Sequence, residues 1–159
     1  MNGQCPIYYN HPSTGRPGSK SKFTSRYLDA PFEALYPFGY GLSYTIFTYG
    51  EMQVEETADT YDISVWLKND GERDGTEIVQ LYMQDVTASL VRPVKGLKGF
   101  VRVDLKAGEE KQVTISLAKA DMGFYDNQGI YILEDGLFRL YIGGNSRDSQ
   151  CREVRASFM

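Results

Sequence analysis

A chain of 159 residues suits one domain with an arm, and folding at this size buries about 70% of the surface of the unfolded chain, enough for a core without staples. The formal net charge of −4 and the lack of a long basic run exclude nucleic acid and anionic membrane as expected partners. No apolar stretch approaches the roughly 18 residues of a membrane span.

The start, Met1-Asn2-Gly3-Gln4, has no apolar h-region and does not read as a signal peptide. Residues 3–9 read as a short strand, and residues 10–26, rich in Pro, Gly, Ser, Lys and Arg, as a loop. Asp29-Ala30-Pro31 is turn-like. Residues 3–31 carry little alternating apolar pattern and are expected to be the least anchored part. The two cysteines, Cys5 and Cys151, sit near opposite ends. They read as separate thiols, and they could pair only if the termini meet.

The stretch from Leu35 to Phe47 is unusual. Read with period two, Tyr36, Phe38, Tyr40, Leu42 and Tyr44 fall on one side, and Pro37, Gly39, Gly41 and Ser43 on the other. Proline and two glycines argue against a helix. An extended ribbon would gather large rings on one face and bring bare backbone close to other chain on the other. It reads either as a buried or edge strand or as a strap that docks one body onto another. In the second case Tyr36, Phe38, Tyr40, Tyr44 and Phe47 are the docking residues. Phe38, Tyr40 and Tyr44 are expected to pack against the domain.

Beyond Thr45 the pattern is all strand. Phe47–Glu55 is a first candidate. Thr60–Lys68 alternates, with Tyr61, Ile63, Val65 and Leu67 inward and Trp66 outward. Asn69-Asp70-Gly71 and Asp74-Gly75 mark a turn, and Thr76–Asp85 reads as the hairpin partner, with Val79, Leu81 and Met83 inward. Residues 86–95 form a loop. Gly96–Leu105 and Glu110–Leu117 are strands, and Ala118–Met122 one helical turn. Phe124–Ile132 reads as a hairpin about Asp126-Asn127-Gln128-Gly129. Leu137–Ile142 and Arg152–Phe158 complete about eight short strands, an antiparallel β-sandwich.

No catalytic set emerges. His11 is the one imidazole, and no G-x-S-x-G elbow accompanies it. Gly39-x-Gly41 is not followed by a helix, so it is no phosphate fingerprint. Asn69–Gly75 is acidic but lacks EF-hand spacing, and no Cys/His pattern suits a metal. Neither metal nor cofactor is expected. Trp66, with Tyr82 thought to lie beside it on the neighbouring strand, is the candidate carbohydrate contact. The segment 89–98, with Arg92, Lys95 and Lys98, reads either as a solvated loop, the favoured reading, or as a loop that reaches a neighbouring active site.

Several stretches share the wording of one family. They are Gly3–His11, Thr14-Gly15-Arg16-Pro17, Ser25–Asp29, Leu35–Phe47, Gln84–Ser89, Arg92–Phe100 and Gly143–Asp148. Together they resemble the C-terminal region of family 3 glycoside hydrolases, the bacterial periplasmic β-glucosidases most of all. The resemblance implies an all-β fold, a fibronectin type III-like (immunoglobulin-like) sandwich with an extended N-terminal arm. It implies three parts: residues 1–31 as the remnant of a preceding α/β sandwich domain, 32–47 as an aromatic strap, and 48–159 as the fibronectin type III-like domain. It implies a parent that hydrolyses β-linked glucosides or xylosides with retention, in the periplasm or outside the cell. The two carboxyl groups of that chemistry have no counterpart here, so no catalytic residue is carried over. Two roles stay open: an accessory domain that buttresses the catalytic domains of its own chain and a homodimer contact, or a carbohydrate-binding module.

Overall fold

The computed structural model describes residues 7–14 and 33–158. The expected strand at residues 3–6, Cys5, the bulk of the loop at 15–26 and the turn at 29–31 lie outside the described residues. Residues 7–9 are not in a strand.

Two four-stranded antiparallel sheets face each other. In the first, β3 (Thr60–Asn69) is central. β6 (Glu110–Ala118) runs along one edge of it. β1 (Phe47–Tyr49) and β2 (Gln53–Glu56) share the other edge, opposite residues 67–69 and 61–64 respectively. The second sheet has the order β10 (Ser149–Ala156), β9 (Gly136–Gly143), β4 (Gly75–Asp85), β5 (Gly96–Leu105). A 3₁₀ turn, Lys119–Met122, leads into the small hairpin of β7 (Phe124–Tyr125) and β8 (Tyr131–Ile132). The bend at Asp126 is closed by its own carboxylate, which accepts from Gln128 N and Ile130 N, both at 2.8 Å.

Alternation builds the core. Tyr61, Ile63, Val65 and Leu67 of β3 meet Val79, Leu81 and Met83 of β4 and Phe138, Leu140 and Ile142 of β9, all buried. At roughly 25 cal/mol per Å² of apolar surface, this interior supplies the main driving force of folding. Trp66 has the opposite parity. It is 44% exposed while Val65 is buried, as the strand pattern predicts.

Thr76–Asp85 does not pair with Thr60–Lys68. Both edges of β3 are occupied, and β4 pairs with β5 and β9 in the opposite sheet. The link at residues 70–74 therefore crosses between sheets. Asn69, fully buried, makes the crossing possible. Its amide donates to the carbonyls of Arg73 (2.8 Å) and Leu105 (3.3 Å), and its Oδ1 accepts from Gly71 N (3.1 Å) and Thr45 Oγ1 (2.5 Å). A buried amide with every group paired ties the crossing link, the end of β5 and the end of the strap to one point.

At the rim of the core Tyr49 of β1 donates to Glu77 Oε1 of β4 across the sheets, at 2.7 Å. Burial pushes the Glu77 carboxyl above its ordinary range, with the tyrosine hydrogen bond opposing in part, and burial followed by the charge of Glu77 pushes the phenol up. A carboxyl whose pKa is raised by folding contributes stability that is present in acid and lost as pH rises through the folded pKa. Glu77→Gln removes that ionisation. Its thermal midpoint relative to the native chain is expected to rise from acid to neutral pH. A difference flat with pH across a series of melts would contradict this.

Candidate functional site

The outward face of the second sheet carries a further layer of chain. Gln80 and Tyr82 of β4 point away from the core, yet both are buried. The strap turns above them: Tyr40 N donates to Pro37 O at 3.0 Å, and Gly39 has φ of 80°. That is a type II turn, whose third position favours glycine. Gln80 Nε2 donates to Gly39 O (3.1 Å) and to Gly144 O (2.6 Å), and its Oε1 accepts from Tyr82 OH. Ser146 N donates to Phe38 O at 2.9 Å, and an Arg147 guanidinium nitrogen donates to Ala34 O at 3.1 Å. The loop between β9 and β10 thus clasps the strap.

Residues 7–14, the described part of this end, continue the layer and touch it at several points, although all but Tyr9 are exposed. Tyr9 stacks on Phe38 with centroids 4.1 Å apart and meets Tyr82 edge-on at 5.9 Å. Ser13 N donates to Arg92 O, and Val94 N to His11 O, both at 3.0 Å. His11 lies at this exposed seam, its Nδ1 3.0 Å from Pro12 O. Lys95 sits over the Tyr141 ring at 3.9 Å and donates to Ser146 O at 2.6 Å. Burial holds its ammonium below the ordinary lysine range, and burial first, then the neighbouring Tyr9, pushes the Tyr82 phenol up to about 12. An open cleft of about 750 Å³ runs between the two segments, edged by Tyr8, His11, Tyr36, Phe38 and Arg147.

The five docking candidates do not share one face. The turn at Gly39 breaks the period-two parity. Phe38 and Tyr40 are partly covered, and Tyr36 leans on Tyr40 at 5.2 Å. Tyr44 is 94% exposed, so its expected packing against the sandwich is not found. Phe47 belongs to β1 and packs on the core. The surface therefore has anchored backbone and outward rings. The carbohydrate pair is also separated. Trp66 stands on the outer face of the first sheet. Tyr82 is fully buried in the second sheet because the strap and Tyr9 cover it.

Sequence reasoning missed Gln80 and Tyr9, and it read Lys95, half-buried here, as part of a solvated loop. The clue lay in β4, where the outward set Ile78, Gln80 and Tyr82 is too apolar for a solvated face. Among the described residues no group of three His, Cys, Asp or Glu is placed to hold a metal. Nor is any helix there long and apolar enough to cross a membrane.

The turn supplies a sharp test. A Cβ on Gly39 would overlap the Gln80 amide, and the left-handed conformation itself costs an L-residue about 1–2 kcal/mol. Gly39→Ala should lower the free energy of unfolding by at least that amount, and the denaturation midpoint with it. Gln80→Leu, which strands two carbonyls, should cost about 1–3 kcal/mol. Unchanged midpoints for both would mean that the strap is not fastened as described.

Residues 77–146 match the model of the fibronectin type III-like domain. A periplasmic β-glucosidase of Salmonella typhimurium is 44% identical over 151 residues, which is 91% of this chain and 20% of that protein. A β-xylosidase of Formosa agariphila is 34% identical over 156 residues, covering 96% of this chain and 21% of the relative. The crystal structure of a β-glucosidase from Listeria innocua in complex with gluconolactone superposes with a TM-score of 0.87 at 42% identity, over 96% of this chain and 22% of that one. The chain spans about a fifth of the length of the curated relatives it matches. It is a fibronectin type III-like β-sandwich, and it corresponds to one stretch of the family 3 glycoside hydrolases that include these β-glucosidases.

Proposed function

We propose that this chain is the non-catalytic accessory domain of a family 3 β-glucosidase, and that it docks on the catalytic domains of its own polypeptide through the strap and the segment at residues 7–14. The observation that carries the reading is a contrast. Backbone at 37–40 is held by a buried amide, while the rings of Tyr36 and Tyr44 point into solvent. Rings are large apolar groups, and a fastened segment that displays them is suited to burial by a partner body. The relatives are about five times as long as this chain, which supports a partner within one polypeptide. Hydrolysis of the glucoside would then fall to two carboxyl groups elsewhere in the parent, and an extracytoplasmic site follows the periplasmic name of the Salmonella relative. A carbohydrate-binding role built on Trp66 and Tyr82 has less support, since the two rings are not neighbours.

The test replaces the matching stretch of the Salmonella enzyme with this chain. Tyr36→Ser with Tyr44→Ser should leave the melting of the isolated chain almost unchanged, because surface substitutions of this kind stay within about 0.5 kcal/mol. In the chimera the same pair should lower the thermal midpoint and the turnover of an aryl β-glucoside. Equal behaviour in both settings would refute docking through the strap. The isolated chain itself should turn over no aryl β-glucoside, and activity that follows it through size exclusion would refute the non-catalytic assignment.

A further inference from the structure

Apolar exposure on this sandwich is not spread evenly. On the outer face of the first sheet Trp66 stands among Ser64, Lys68, Gln112 and Thr114. On the outer face of the second sheet, beside the strap, Ile78 and Phe100 are open to solvent, Phe100 at 66%. The register places Gln80 opposite Phe100 and Ile78 opposite Arg102, so Ile78 and Phe100 are diagonal neighbours on one face. Gly39 rests on Gln80, the residue that the register places opposite Phe100. Beyond these two residues the surface becomes polar and already paired. Arg102 reaches Asp104 Oδ1 at 3.2 Å, and Thr76 Oγ1 donates to the same carboxylate oxygen at 2.5 Å.

We infer that the docking surface extends past the strap onto β4 and β5, with Ile78 and Phe100 buried against an apolar surface of the remaining part of the same polypeptide. The inference rests on the docking role proposed above and adds a second contact to it. Three features favour this occupant. The patch is continuous with the ring-bearing strap. Its outer boundary is a closed polar network, the arrangement of an interface core with a polar rim. The relatives carry about four fifths of their length outside the matched stretch.

Hydroxyl-radical footprinting, read residue by residue by mass spectrometry, tests it. The probe proteins are this chain alone and a chimera in which it replaces the matching stretch of the Listeria innocua β-glucosidase, taken from the fraction that turns over an aryl β-glucoside. Labelling of Phe100 is expected to fall several-fold in the chimera, while labelling of Trp66 on the opposite face stays equal in the two. Should Phe100 label equally in both while Tyr36 and Tyr40 become protected, the strap docks and the extension is wrong. Should none of the three be protected, both readings fail. Protection of Phe100 in the isolated chain that disappears on dilution would assign the patch to a second copy and overturn the occupant named here.

Discussion

The side-chain amide of Gln80 is the interaction on which the outer layer depends. It sits on a central strand, on the face that would ordinarily meet water, and it is buried there. A primary amide offers two donors and an acceptor. Here one donor goes to the strap at Gly39, the other to the loop between β9 and β10 at Gly144, and the acceptor takes the Tyr82 hydroxyl. An apolar residue at this position could cover the sheet but could not join those segments. The strap and the loop are further linked by Ser146 N on Phe38 O, so three pieces of chain far apart in sequence meet at one point.

A second buried amide completes the arrangement. Asn69 accepts from Thr45 at the far end of the strap and also ties the link between the sheets. The strap is therefore fixed near Gly39 and near Thr45. Residues 41–44 bridge between them with exposed side chains at Leu42 and Tyr44. Fixing both ends reduces the entropy that the segment would lose on meeting a partner, which favours docking by preorganisation. The strand beneath is covered on both sides, by the core through Val79 and Leu81 and by the strap through Gln80 and Tyr82.

The sandwich was legible because burial follows a period of two. Nearly every strand from Thr60 to Ala118 lies where alternation places it, and the opposite parities of Val65 and Trp66 follow from the same rule. The placement of β3 and β4 in different sheets was not legible. A short Asn-Asp-Gly link between alternating runs favours a hairpin locally, but the side chain of Asn69 turns inward and sends the next strand to the other sheet. The strap was misread for a similar reason. Parity arguments assume continuous extension, and one glycine in the left-handed region at residue 39 resets which side the rings occupy. Tyr82 resembled a surface aromatic because its outward parity in β4 does not tell which segment lies over it, and the one that does, with Tyr9, comes more than seventy positions earlier. The family resemblance, by contrast, was carried by wording spread along the chain, and the similarity to β-glucosidases over nearly its full length agrees with it.

The central claim is that the strap is part of the folded body and held there by the amide beneath it. Native-state hydrogen exchange of the chain measures this directly, at the Tyr40 amide that closes the turn and the Ser146 amide that clasps Phe38. Exchange reports the free energy of the opening that exposes each amide. The account predicts that both are protected to a degree approaching the amides of β4, and that they open together. Exchange of these two amides at the rate of an unstructured peptide, while β4 and β9 remain protected, would show a strap that only lies near the sheet and would contradict it.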